Sequence, residues 1–135
     1  MIREISSEMH TLEAFKIYAS CMYRPSLEEY TNAVDKYLSD TETHCFGYFE
    51  GSRLWGVIVI RKGEILGIAV LNALRKRGAG HALIDHVQKL YPVLTAETDE
   101  DSVGFYHACG FSCEAFERTF PDGAVTRYKC IINSF

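Results

Sequence analysis

The 135 residues carry a formal net charge of −4, so no overall basic field argues for a nucleic-acid partner. An apolar share of 47% is enough for one domain with one sizeable core, and no apolar run approaches the ~20 residues that span a bilayer. The five cysteines are odd in number and scattered, a poor disulfide framework, and Cys109 and Cys113 have no matching Cys/His pair for zinc. Met1-Ile-Arg-Glu-Ile5 has no signal-peptide apolar segment, so a cytoplasmic protein is the default expectation, with no membrane partner.

Met1–Ile5 reads as a short strand. Leu12, Phe15, Ala19, Met22 and Tyr23 recur at helical spacing and predict a first helix, broken by Pro25. Ser26-Leu-Glu-Glu29 is a capping box that opens a second helix, with Leu27, Tyr30, Val34 and Tyr37 on one face. His44–Glu50 and Arg53–Arg61 flank Gly51-Ser52 as a predicted hairpin, and Lys62-Gly63 turns into a further strand, Glu64–Leu71. Residues 65–71 are apolar throughout, which predicts a central strand covered on both faces. Gly67 in its middle points to a bulge or a close backbone contact.

After Gly78, residues Leu83, Ile84, Val87, Leu90 and Tyr91 mark a third helix that Pro92 ends. Pro92–Glu97 reads as a strand and Asp101–Cys109 as a short fourth helix. Phe111–Arg118 and Val125–Ile132 form a closing hairpin around Pro121-Asp-Gly123. The order β-α-α-β-β-β-α-β-α-β-β predicts a single α+β domain over residues 1–135. Its sheet would be mixed, mostly antiparallel, of about seven strands, with four helices.

The stretch from Glu64 to Leu83 is the most informative. An apolar strand leads through a polar turn into a glycine-marked helix start, with Arg75, Lys76 and Arg77 just ahead of Gly78 and Gly80. Free amides of a first helical turn, the positive dipole end and three cations together suit a phosphate or pyrophosphate. The alternative reading of the triplet is a solvated helix entrance. A P-loop would need Gly-x-x-x-x-Gly-Lys-Ser/Thr, which is absent, and a dinucleotide loop needs a third glycine where Leu83 stands.

Arg75-x-x-Gly78-x-Gly80 resembles the Gln/Arg-x-x-Gly-x-Gly/Ala signature of the GNAT superfamily of acetyl-CoA-dependent N-acetyltransferases. Val70 precedes Gly78 by eight residues, as the last strand valine does in many members. Downstream, Asp99 to Phe111, with Phe105-Tyr106 and Gly110-Phe111, resembles the family's Asn-x-x-Ala-x-x-Phe-Tyr-x-x-x-Gly-Phe signature. Two separate motifs in the right order carry the resemblance, which covers roughly residues 44 to 133.

The resemblance implies splayed fourth and fifth strands holding acetyl-CoA, with CoA as product. Ile68, Ala69 and Val70 would line its pantetheine arm, with backbone bonds from Ile68 and Val70, and Arg75, Lys76, Arg77, Gly78, Ala79, Gly80 and His81 would cradle its pyrophosphate. Phe105 and Tyr106 would complete the cofactor site. Asp99 replaces the family's asparagine and serves there or as an N-cap of the fourth helix. Tyr106 would protonate the CoA thiolate, or else pack the fourth helix.

Glu64 resembles the catalytic glutamate position of some members; Glu97, His44 or water remain open as the base. The oxyanion would be held by a strand amide, that of Val70 or its neighbour. Acceptor sites in the family use the first two helices and the last hairpin, here with Tyr23, Arg24, Tyr30, Phe116, Glu117, Phe120 and Asp122. A small-molecule amine is the expected acceptor ahead of a protein. The rival expectation is a CoA-binding sensor without catalysis. Dimerisation is common among relatives, but no residue here identifies a surface for a homodimer.

Overall fold

The computed structural model describes residues 1–22, 25–71 and 78–133, so Tyr23, Arg24, Arg75, Lys76 and Arg77 lie outside the described residues. The strands are β1 (Ile2–Glu4), β2 (Thr43–Glu50), β3 (Arg53–Arg61), β4 (Glu64–Val70), β5 (Val93–Thr98), β6 (Ser112–Phe120) and β7 (Gly123–Asn133). The helices are α1 (Leu12–Tyr18), α2 (Leu27–Ser39), α3 (Ala79–Gln88) and α4 (Val103–Ala108). One seven-stranded sheet runs β1-β2-β3-β4-β5-β7-β6, antiparallel except at β4–β5. The expected strand and helix order is met, and the last strand, β7, inserts between β5 and β6.

Strand alternation divides the core between the two faces. Val57 and Val59 of β3 point to the α1 and α2 side, joining Ile17, Tyr18, Tyr30 and Val34. Ile58 and Ile60 point to the other side, joining Leu83, Ile84 and Val87 of α3. On the first side α1 lies on β3 and β4 and α2 on β2; on the second, α3 spans β2 to β4 and α4 backs β6 and β7.

Local chemistry explains the boundaries. Ser26 Oγ accepts the Glu29 amide at 3.1 Å, and Thr11 Oγ1 caps α1 by accepting from Ala14 at 3.2 Å. The first helix stops at Tyr18 and tightens into a 3-10 turn, Ala19–Cys21, where Ser20 and Cys21 side chains bond back to the Ile17 and Tyr18 carbonyls. Gly63 has φ +87°, and a Cβ there would stand 2.5 Å from the Val93 carbonyl oxygen. Its own carbonyl accepts the Thr95 amide at 2.9 Å. This turn therefore ties the start of β4 to β5.

β4 is not covered on both faces. Leu66 is the extra residue where the register steps from Gly67↔Val59 to Ile65↔Ile60, and it stays 40% exposed. The bulge sends Ile65 and Ile68 to the α3 side and Glu64 to the α1 side. Gly67 meets both expectations. It sits beside the bulge, and any Cβ would collide with the Tyr18 hydroxyl.

α3 and α4 touch through a second glycine. A Cβ on Gly80 would lie 2.8 Å from Phe105 Cε1, so a larger residue must displace that ring. Phe105 in turn packs edge-on against Tyr106 at 5.3 Å. Gly80→Ala is expected to lower stability by about 1–3 kcal/mol through overpacking, and Phe105→Leu in the same chain should return part of it. Equal melting temperatures for wild type and Gly80→Ala would contradict that contact.

Burial also sets an alkaline limit. The Cys45 thiol, 1% exposed, is pushed from 9.0 up to about 12 by burial. Burial likewise raises the Tyr18 and Tyr106 phenols. Groups raised on folding contribute stability fully present below their unfolded values and lost as pH climbs through the folded ones. Urea midpoints should stay level up to about pH 8 and fall progressively between about 9 and 12. A level profile through pH 11 would contradict the burial.

Candidate active site

β4 and β5 pair only at Glu64↔Thr95 and Ile65↔Ala96. Beyond that point β4 keeps its bonds to β3, where the Leu71 amide donates to the Trp55 carbonyl at 2.9 Å. Antiparallel alternation then turns the amides and carbonyls of Ala69 toward β3 and those of Ile68 and Val70 away from it. The backbone of Ile68 and Val70 therefore faces the gap with no strand partner among the described residues. The Cys21 thiol reaches the Ile68 amide from the α1 side.

At the far end of the gap, Gly78 starts α3 with φ +86° and no side-chain cap. Among the described residues nothing stands within 4 Å of where its Cβ would lie. The amides of Ala79, Gly80 and His81 have no intrahelical carbonyl to donate to. An extended, amide-bearing chain fits the edge of β4 as an added strand, and a diphosphate fits the α3 start. Those are the two halves of a CoA-type ligand. His81 is exposed beside Cys109, with Nδ1 3.6 Å from Sγ.

Tyr106 lies under the gap from the other side. Its ring is buried, 5% exposed, between Phe105 and Phe111, each at a centroid distance of 5.3 Å. The Tyr106 hydroxyl has no hydrogen-bond partner among the described residues. Burial first, and then surrounding thiols including Cys21, hold its proton well above the usual phenol range.

Glu64 is exposed on the α1 side, beside the last β4–β5 pair. Lys62 does not hold it, because that ammonium pairs with Glu42 at 3.2 Å. The other two base candidates are engaged. Glu97 is bound by Arg118 at 2.6 Å and Arg127 at 3.2 Å. His44 lies on β2, two strands from the gap, bonded to Glu4 at 2.8 Å. Asp99 lies at the α4 start, where its Oδ1 accepts the Ser102 amide at 3.0 Å and its carbonyl accepts that of Val103 at 3.0 Å.

Two open cavities flank β4 on the α1 side. One, of about 300 Å³, is walled by Tyr18, Cys21, Met22, Glu29, Tyr37 and Leu66. The other, of about 340 Å³, runs from Glu64 over Thr95 and Glu97 to Phe116, Arg118 and Lys129.

The expected acceptor residues divide. Phe116 lines the second cavity, but Glu117 points to the opposite face of β6, and Tyr30 is core, 1% exposed, with its hydroxyl on the Met9 carbonyl. Phe120 and Asp122 are exposed at the hairpin tip. Sequence reasoning missed Tyr18, Cys21, Leu66, Arg118 and Lys129. Only Leu66, beside a strand glycine, carried a local signal.

Residues 11–130 match the profile of the acetyltransferase (GNAT) domain. An uncharacterised N-acetyltransferase of Bacillus subtilis (strain 168) is 35% identical over 101 residues, 64% of this chain and 63% of that protein. The match thus spans less than two thirds of that relative's length. A Bacillus subtilis acetyltransferase solved in complex with CoA superposes with a TM-score of 0.71 at 21% identity, over 98% of this chain and 97% of its own. An aminoglycoside 6′-N-acetyltransferase complexed with coenzyme A gives 0.76 at 13% identity, over 100% and 97%. At such identities the superpositions speak for the fold alone. The profile, which spans all but the ends, carries the assignment: the chain belongs to the acetyltransferase (GNAT) domain family.

Proposed function

We propose that the chain moves an acetyl group from acetyl-CoA to a primary amine by direct attack. The observation that carries the reading is the unpaired edge of β4 at Ile68 and Val70, in line with the uncapped start of α3. The CoA-bound structures of the same fold support it. Arg75, Lys76 and Arg77 would add charge at the diphosphate end.

Acetyl-CoA supplies an activated carbonyl carbon with a thiolate leaving group. Glu64, exposed and free of partners among the described residues, takes the proton of the incoming ammonium, directly or through water. The amine lone pair then forms the C–N bond as the C–S bond breaks. The gap-facing amides of Ile68 and Val70 stabilise the charge that develops on the carbonyl oxygen. Tyr106, which burial keeps protonated and whose hydroxyl has no partner among the described residues, donates its proton to the sulfur as the C–S bond breaks. The acylated nitrogen gives up its second proton, which restores the phenol through water, and the proton on Glu64 passes to solvent, so one proton leaves overall.

Tyr106→Phe is expected to lower kcat by about 10²-fold with the Kd for CoA little changed, since the ring packing survives. Glu64→Gln should lower kcat/KM similarly, again with the Kd for CoA little changed. Parallel losses of CoA affinity and turnover in Tyr106→Phe would assign the tyrosine to packing instead.

A further inference from the structure

The sheet face that leads away from Glu64 carries a charge pattern that selects among amines. Among the described residues no helix covers the α1-side face of β5, β7 and β6. Alternation from Thr95 and Glu97 puts Lys129 and Arg127 of β7, and Glu114 and Arg118 of β6, on that face. Setting Glu64 against the acceptor's ammonium leaves three cations, Arg118, Arg127 and Lys129, facing two acids, Glu97 and Glu114. Glu97 is shared by two guanidiniums, which leaves N–H donors of both without a protein partner among the described residues. The Lys129 ammonium has no ion pair among the described residues.

Glu64 and Lys129 line one cavity of about 340 Å³, with Arg118 between them on its wall. Their backbones stand two strand spacings and two residues apart, roughly 12 Å. A carboxylate side chain and a lysine reaching inward from such a separation leave room for a molecule of amino-acid size. We propose that the acceptor is a small aminocarboxylate, with its amine at Glu64 and its carboxylate held by Lys129 and Arg118. A polyamine would instead bring a second positive charge against these cations. The assignment rests on the acetyl-transfer reading given above and deepens it.

Thiol release from acetyl-CoA tests this with matched acceptors that differ only in the carboxylate: lysine against cadaverine, and phenylalanine against phenethylamine. The aminocarboxylate of at least one pair should show a kcat/KM about tenfold higher than its decarboxylated partner, mainly through KM. Lys129→Met should pull that ratio toward one, and Lys129→Arg should restore most of it. A wild-type ratio at or below one in both pairs overturns the assignment, as does a preference that Lys129→Met leaves intact. Acetyl-CoA binding by calorimetry in the same samples separates the two possible failures. Binding with turnover of neither pair overturns the aminocarboxylate alone, whereas absent binding overturns the cofactor reading and the acceptor with it.

Discussion

β4 and β5 pair for two residues and then part, and the rest of the site is arranged around that separation. Each backbone N–H or C=O that loses its partner in a protected place costs about 1–3 kcal/mol unless something else bonds it. Here the exposed groups belong to alternate residues, Ile68 and Val70, and all face the same way. That spacing matches a second extended chain. The Gly63 turn holds the two strands together at one end, through the Thr95 amide, and so fixes where the parting starts. The bulge at Leu66 follows at once and reassigns the faces of β4.

The bulge gives the two sides of the gap opposite characters. Toward α3 and α4, Ile65 and Ile68 meet an apolar layer that includes the Tyr106 ring. Toward α1, Glu64 and Leu66 open onto two cavities that carry carboxylates, phenols and cations. A proton can be taken up on the wet side and delivered from the dry side without the two groups competing. Burial keeps the Tyr106 phenol protonated, while Glu64 lies on the solvent side of the sheet.

Much of this was legible in the residues. Turn glycines and the Ser26 cap marked the elements to within a few positions, because each acts over a few residues. Gly67 marked the irregularity of β4 for the same reason, and Gly78 marked the start of α3. What escaped depends on contacts between distant segments. An apolar run reads as a strand buried twice, and one skipped residue at Leu66 breaks the period that such a reading assumes. Glu97 looks like a free base until Arg118 and Arg127 arrive from strands 21 and 30 residues away. Tyr30 sits at the same helical spacing whether it faces solvent or core. Gly80 was expected to clear room for a ligand, and it also clears room for Phe105.

Amide hydrogen exchange along β4, followed with and without saturating acetyl-CoA, tests the central claim most directly. The account predicts an alternating response. The Ile68 and Val70 amides, which lack a strand partner, should slow markedly on binding, whereas Leu71, already bonded to Trp55, should change little. Uniform protection along the strand, or protection that leaves Ile68 and Val70 untouched, would contradict a ligand that completes the open edge of β4.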